Sequence, residues 1–236
     1  MPLGEYRGRN TFSPVYFRPW IVRVPPLLRR KHLALLLSQI EPPPKPKLKW
    51  ESYMLDAESA ANIVYTAEWI YGDICGKRVI DLGCGSGILS IAAAILGAEW
   101  VVGVDIDRDA IMAAVKNSEK VGAEVDFIIG DIDCVSGHFH TTLMNPPFGS
   151  WHKGADVRFL EKALKISDII YSLHKRSPLV REFLSRRIPQ LGGLIDHIYE
   201  VDIIINRTYE FHRKRRYIVK ADLYRILRLR EGEKKE

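Results

Sequence analysis

The sequence predicts an α/β fold: a doubly wound, mostly parallel sheet closed by an antiparallel C-terminal strand pair. Three observations carry this. After Gly76, short apolar runs alternate with helical stretches, the order that a parallel sheet with helices on both faces requires. The first of those runs ends in a glycine-rich turn, DLGCGSG (81–87), directly ahead of a helix. The last two, LIDHIYEVDIII and RYIVKADLYRIL, have no helix between them and should therefore pair antiparallel.

The elements follow in chain order. Residues 1–29 are irregular and rich in Pro, Arg and aromatics, and read as an N-terminal extension. RKHLALLLSQI (30–40) suits a short helix with Leu33, Leu36 and Leu37 on one face. EPPPKPKLK then forms a stiff, polyproline-like connector. In AESAANIVYTAEWIY, Ala60, Ile63, Val64, Ala67 and Ile70 hold the i, i+3, i+4 spacing of a helix. RVIDL (78–82) is the first strand and ILSIAAAILG its helix; WVVGVD (100–105) is the second and RDAIMAAVKNSEKVG its helix. VDFIIG (125–130) and HTTLM (140–144) are strands three and four. A helix through FLEKALKI leads to strand five, DIIYSL (168–173), and a last helix over about 178–189 precedes the closing pair. One domain spans 30–228, and 229–236 is a charged tail.

Composition narrows the class. At 236 residues with 47% hydrophobic content, the chain can bury a real core. No apolar run is long enough to span a bilayer, and MPLGEYRGRNTF lacks the layout of a signal peptide. Cys75, Cys84 and Cys134 are odd in number and form no Cys-x-x-Cys pair, which argues against disulfide scaffolding and thiolate zinc. A cytoplasmic location is expected. Lys and Arg number 35 against 29 Asp and Glu, and the excess clusters at Arg29–Lys31, at Lys45, Lys47 and Lys49, and at Arg213–Arg216. Such clusters fit either a polyanion partner or a solvated face.

In DLGCGSG, Gly83 and Gly85 allow a sharp turn and a close ligand approach. Asp105 ends the second strand 24 residues after Asp81, close to the spacing at which a carboxylate grips a ribose. A dinucleotide loop needs a third glycine where this chain has Ile88. Asp81, just before the loop, would repel a pyrophosphate and suits a cationic methionine head. Asp131, in GDID, closes strand three, where it could reach an adenine amino group, with Ile132 packing on the ring. The three acids share one rim of the sheet, the usual ligand crevice of such folds. S-adenosyl-L-methionine is the cofactor this pattern predicts.

LMNPPFGS (143–150) then acquires a purpose. Two prolines cannot donate ladder hydrogen bonds, so strand four stops at Met144 and Asn145 sits on a rigid end. As a turn alone, Asn-Pro would be unremarkable. Beside a methyl donor, the Asn145 side-chain oxygen and the Pro146 carbonyl can accept both N–H bonds of an exocyclic amine. That aligns its lone pair without any strong base. Pro147 stiffens the loop, and Phe148 offers a stacking face to a base taken out of its stack.

DLGCGSG, VDID, GDID and NPPFG together resemble Rossmann-like class I amino-methyltransferases. RKHLALLLSQIEPPPKPKLKWESY, NPPFGSWHKGADVRFLEKAL, YSLHK and YEFHRKR resemble the methyltransferase-like protein five family, over about residues 30–228. That resemblance implies methylation of adenine N6 in small-subunit ribosomal RNA. It places Tyr53, Asp81, Gly83, Gly85, Ser86, Ile88, Asp105, Ile106, Asp131, Ile132 and Asn145 around the cofactor, and Asn145 to Phe148 in the catalytic loop. The family's Gln and Thr beside the conserved-position Tyr53 stand here as Ser52 and Leu55, and Leu55 cannot donate a hydrogen bond. The family also uses a small zinc-binding activator protein that adds a strand beside strand three. Here that strand carries only Asp126 as a charge within Val125–Ile129, and alternation puts Val125, Phe127 and Ile129 on one face. The extension, with Phe12, Val15, Tyr16, Phe17 and Trp20, is the intrinsic alternative cover.

Phe211, His212, Arg213, Lys214, Arg215 and Arg216 interleave stacking groups with cations, a pattern suited to RNA. Lys175 and His174 end strand five near the same rim; His174 fits an RNA contact or a structural role equally. His152 and Lys153 belong to a lid after the catalytic loop, and no metal is expected. Three function classes stay open: an RNA adenine-N6 methyltransferase, a methyltransferase for another amine or amide such as a protein glutamine, and a non-catalytic RNA-binding module. Phe148, where glutamine methyltransferases typically carry Tyr, argues mildly against the second, and intact Asn145, Asp105 and Asp131 against the third.

Overall fold

A computed structural model describes residues 28–43, 55–147, 154–206 and 216–229. Seven strands form one sheet in the order β3-β2-β1-β4-β5-β7-β6. The chain runs α1 (Arg30–Leu37), α2 (Ala57–Trp69), β1 (Arg78–Leu82), α3 (Ile88–Ile95), β2 (Trp100–Asp105) and α4 (Arg108–Val121). It continues through β3 (Asp126–Ile129), a 3-10 turn (Ile132–Cys134), β4 (Phe139–Met144), α5 (Ala155–Ile166) and β5 (Ser167–Lys175). It closes with α6 (Pro178–Gln190), β6 (Gly193–Asn206) and β7 (Arg216–Arg228). Strands β1 to β5 are parallel, and β7 runs antiparallel between β5 and β6.

Side-chain alternation divides the strands between two cores. Val79, Val101, Leu143 and Tyr171 face α1, α2 and α3, while Ile80, Val102, Met144 and Ile170 face α5 and α6. The same alternation puts Asp81, two residues from Val79, on the α3 face. Gly103 shares that face, and a Cβ there would stand 2.7 Å from Cδ1 of Phe127. Phe127 thus fills the space that Gly103 and Gly87 leave empty, and it anchors the edge strand.

The boundaries agree with the sequence reading to within a few residues, with three informative differences. Helix α5 begins four residues earlier than FLEKALKI, at Ala155, after Gly154 at φ 84°. Strand β5 extends through Lys175 because His174 is buried there, its Nε2 2.8 Å from the Ser172 hydroxyl. In β3, Phe127 is tucked inward but Ile129, expected on the same face, is 51% exposed. The strand is four residues long and ends at the rim, so nothing covers Ile129 among the described residues.

The β6–β7 pair reaches beyond the rest of the sheet. Lys175, the last residue of β5, pairs with Ala221, and β6 and β7 continue through five more pairs to Asn206↔Arg216. The overhang lies on the rim where β1, β2 and β4 end. Asp56 ties it down: its Oδ1 accepts from the Ser59 N–H to cap α2, and its Oδ2 accepts from Ile204 N–H at 2.9 Å. At its base, Arg176 and Arg181 close on buried Asp222, Arg181 through two bonds of 2.6 and 2.7 Å.

Candidate active site

The C-terminal rim of the parallel strands opens on a cavity of about 480 Å³, a size suited to a small cofactor. Of the residues the sequence reading assigned to a cofactor, Asp81, Gly83, Gly85, Ser86, Ile88, Asp105, Ile106, Asp131, Ile132 and Asn145 all line it. Tyr53 lies outside the described residues, as do Phe148, Phe211, His212, Arg213, Lys214 and Arg215. Arg216 is the first residue of β7, at the end of the overhang.

The glycine loop is built around left-handed backbone at Gly83 (φ 71°), Gly85 (φ 54°) and Gly87 (φ 82°), a region only glycine adopts without strain. A Cβ at Gly83 would come to 3.0 Å from Phe159 Cε1, whereas one at Gly85 would meet nothing within 4 Å. Gly85 is therefore the point where the loop backbone faces open space. Its N–H donates to Asp105 Oδ2 at 2.8 Å, and Asp105 Oδ1 accepts from Asp107 N–H at 2.8 Å. Asp105 thus fixes the loop as well as lining the cavity. Burial pushes its carboxyl above the usual range, against the opposing pull of those N–H groups.

Asp81 has a second role that its position in the motif does not announce. Helix α3 starts after Gly87, which has no side chain to cap it, and Asp81 does so from the strand. Its Oδ2 accepts from the Ser90 N–H at 3.0 Å and the Ser90 hydroxyl at 2.6 Å. Burial is nonetheless the stronger influence and, aided by the charge of Asp105, pushes its carboxyl up to about 7. Both of these bonds fall on Oδ2, and Asp81 also lines the cavity.

Asp131 lies just past β3 and caps the 3-10 turn. Its Oδ1 accepts from the Asp133 N–H at 2.9 Å and from the Arg158 guanidinium, which also reaches Asp133 at 2.6 Å. The backbone donor first, then Arg158, hold this carboxyl below its usual range. Ile132 packs beneath, 5% exposed. Arg158 and Phe159, from the start of α5, went unread in the sequence although they follow the NPPF segment closely enough to share its rim. Pro43, Cys84, Asp107 and Leu55 also line the wall. Leu55 is 3% exposed and belongs to the core, so its side chain supplies an apolar wall.

Asn145 and Pro147 line the cavity, while Pro146 is buried beside them. Lys175 is exposed at the end of β5. His174 is structural: it is 2% exposed, sits edge-on to Tyr224 at 5.4 Å, and burial lowers its pKa to about 4. The described residues contain no group of His, Cys, Asp and Glu suited to a metal ion, and no helix long and apolar enough to cross a membrane.

The lining is acidic: Asp81, Asp105, Asp107 and Asp131 face one cation, Arg158, which is already paired. Such a wall disfavours a phosphate and suits a ligand carrying positive charge. With Gly85 offering unobstructed backbone, it fits an adenosyl sulfonium.

The sequence profile of the ribosomal protein L11 methyltransferase family (PrmA) matches residues 72–138, which ends before the NPPF segment. An uncharacterized protein of Methanocaldococcus jannaschii is 38% identical over 215 residues, 86% of this chain and 96% of that one. The rRNA N(6)-adenosine-methyltransferase Mettl5 of Drosophila melanogaster is 33% identical over 213 residues, 84% of this chain and 96% of the fly protein. Among solved structures, a candidate RNA methyltransferase of Pyrococcus horikoshii superposes with a TM-score of 0.79 at 36% identity, covering 86% of this chain and 98% of that one.

Proposed function

The chain belongs to the family of the rRNA N(6)-adenosine-methyltransferase Mettl5, and on that premise we propose that it methylates the N6 amine of an adenine in small-subunit ribosomal RNA. S-adenosyl-L-methionine is its cofactor. The single observation that carries the reading is the placement of Asn145 and Pro147 on the wall of the cavity that holds the glycine loop and the three acids.

Bound there, the cofactor would supply an electrophilic methyl on a sulfonium. The chain's own residues do the rest by position. Asp81 would take the ammonium end, Asp105 the ribose hydroxyls, and Asp131 the adenine amino group, through the oxygen that Arg158 leaves unused. Asn145 Oδ1 and the Pro146 carbonyl would accept the two N–H bonds of the target amine and turn its lone pair into the cavity. Prolines on either side of that carbonyl keep the acceptors from drifting, which is where such a site gains rate without a base. Phe148 would stack on the flipped adenine.

A protein glutamine substrate is the weaker reading. Likeness to the L11 methyltransferase family covers the cofactor half, whereas likeness to the adenosine methyltransferase runs through the catalytic loop. RNA would approach along the rim between Lys175 and the β6–β7 overhang that leads to Phe211–Arg216. Arg176 and Arg181, held by Asp222 and Glu200, brace that overhang.

A strand-adding partner belongs to the same proposal, in the resemblance a small zinc-binding activator. It would dock on the β3 edge, where Ile128 and Ile129 are 41% and 51% exposed. The domain comprises residues 30–228, with 1–29 and 229–236 as appendages, and its compartment is the cytoplasm, consistent with Cys75, Cys84 and Cys134 forming no disulfide among the described residues.

The test is to incubate the protein with methyl-labelled cofactor and a mixture of total RNA and total protein. Nucleosides and peptides are then resolved by mass spectrometry. N6-methyladenosine from small-subunit RNA is expected; label in glutamine or in a different nucleoside would overturn the reading.

A further inference from the structure

We infer that Asn117 is a positioning residue that joins the segment after α1 (residues 38–43, the arm) to the glycine loop, so that the two walls of the cofactor cavity form as one unit. The inference rests on the reading of this cavity as the cofactor site. Asn117 is on α4, on the buried stripe Ala110, Ile111, Ala114, Asn117, Ser118, where an apolar residue would satisfy packing alone. It is 4% exposed.

Its amide is nevertheless fully used. Oδ1 accepts from the Glu41 N–H at 3.0 Å, and Nδ2 donates to the Glu41 carbonyl at 2.9 Å and to the Ser86 carbonyl at 3.0 Å. One N–H and two carbonyls as partners admit only this orientation of the amide. Glu41 is two residues before Pro43, and Pro43 and Ser86 both line the cavity. Beyond the backbone bonds of Gly83 and Cys84 to the Val104 carbonyl, side chains hold the loop at two consecutive residues, at Gly85 N–H by Asp105 and at the Ser86 carbonyl by Asn117. Only the second hold connects to the arm. One turn further on, Lys120 adds an exposed contact to the same stretch, to the Gln39 carbonyl at 3.1 Å.

The consequence is reciprocal. A docked arm completes the loop, and a ligand that orders the loop retains the arm. The substitution Asn117→Asp keeps the shape but removes both donors and turns a carboxylate on two carbonyls. The affinity for S-adenosyl-L-methionine by calorimetry, and the KM for it, should weaken about tenfold, the effect of one to two lost buried hydrogen bonds. The kcat at saturating cofactor should stay within about twofold, since Asn117 reaches neither substrate nor the reacting atoms.

Glu41→Pro removes that N–H, together with the exposed ion pair of the Glu41 carboxylate to Lys120 at 2.7 Å, without touching the cavity. It should weaken the same affinity in the same direction, whereas Glu41→Gln, which loses the ion pair alone, should not. Glu41→Pro carries the test if Asn117→Asp does not fold. Hydrogen exchange at Ile40 and Glu41 should slow on cofactor addition in the wild type and at neither in Asn117→Asp; in Glu41→Pro, which has no amide at 41, Ile40 is the reporter and should not slow. Equal cofactor affinity in the wild type and in the variants, or arm exchange indifferent to cofactor, overturns the inference. Absence of cofactor binding in the wild type would instead overturn the site assignment on which it rests.

Discussion

Asp81→Asn tests the electrostatics of the site with little change of shape. The carboxylate is buried and caps α3 through Ser90, and burial pushes its pKa up to about 7. If its charge receives the cationic end of the cofactor, only the ionised form binds well. With a pKa of about 7, roughly 9% is ionised at pH 6 and roughly 91% at pH 8, so acidification across that range should cost the wild type about tenfold in affinity through this group. The cofactor's own amine titrates nearby, and the ratio of variant to wild-type Kd removes that contribution. The ratio should fall about tenfold from pH 8 to pH 6, or about 1.4 kcal/mol. Asn retains an oxygen for Ser90, so α3 stays capped.

Thermal melts without cofactor supply an independent reading of the same group. Its folded pKa is raised, so its contribution to stability is fully present below about pH 4 and is lost as the pH rises through about 7. The bound is about 4 kcal/mol, from a carboxyl raised from its ordinary 3.8 to about 7. The wild type should thus lose stability relative to Asp81→Asn over that window. Calorimetric titrations at pH 6, 7 and 8 decide the main point. A Kd ratio that does not change with pH would refute the role of the Asp81 charge and leave it as a helix cap alone.

Gly103→Ala should destabilise by about 1–3 kcal/mol, because its Cβ would stand 2.7 Å from the Phe127 ring; thermal melts check it, and Phe127→Leu in the same chain should recover part of the loss. Neutralising two of the arginines at 213, 215 and 216 should weaken RNA binding and reduce the slope of log K against log salt by about 0.7–0.9 per phosphate contact removed, with cofactor affinity unchanged. An unchanged slope would leave the cluster as a solvated surface. Deleting residues 1–29 should lower solubility or activity of the chain expressed alone if the extension covers β3. Unchanged behaviour on both counts, in the absence of any partner, would sink the covered-edge idea.

What the sequence made legible follows from how local each signal is. β1 and β2 were read to the residue because apolar runs are bounded by Gly, Lys or Asp, and the three acids at one rim follow from strands of similar length ending in register. The apolar run read for β5 stops two residues short of its C-terminal end because His174 and Lys175 are polar; only the Ser172 hydroxyl and the Tyr224 ring, which arrives from β7, make His174 a buried strand residue. Arg158 left no local trace beyond its nearness to the NPPF segment, and Asn117 left none. One meets Asp131 from 27 residues away and the other meets Ser86 from 31, and nothing else in their own neighbourhoods distinguishes them from helix-face residues. The dual role of Asp81 was hidden for a related reason: a strand residue capping a helix depends on Gly87 leaving that cap vacant.

The central claim is that Asn145, on the wall of the cofactor cavity, aligns the substrate amine rather than holding the cofactor. Single-turnover methylation of small-subunit RNA by Asn145→Ala, with cofactor affinity measured alongside, tests it most directly. Loss of one preorganised acceptor should slow transfer by about 10²–10³ while cofactor affinity stays near that of the wild type. A rate close to wild type would contradict the account.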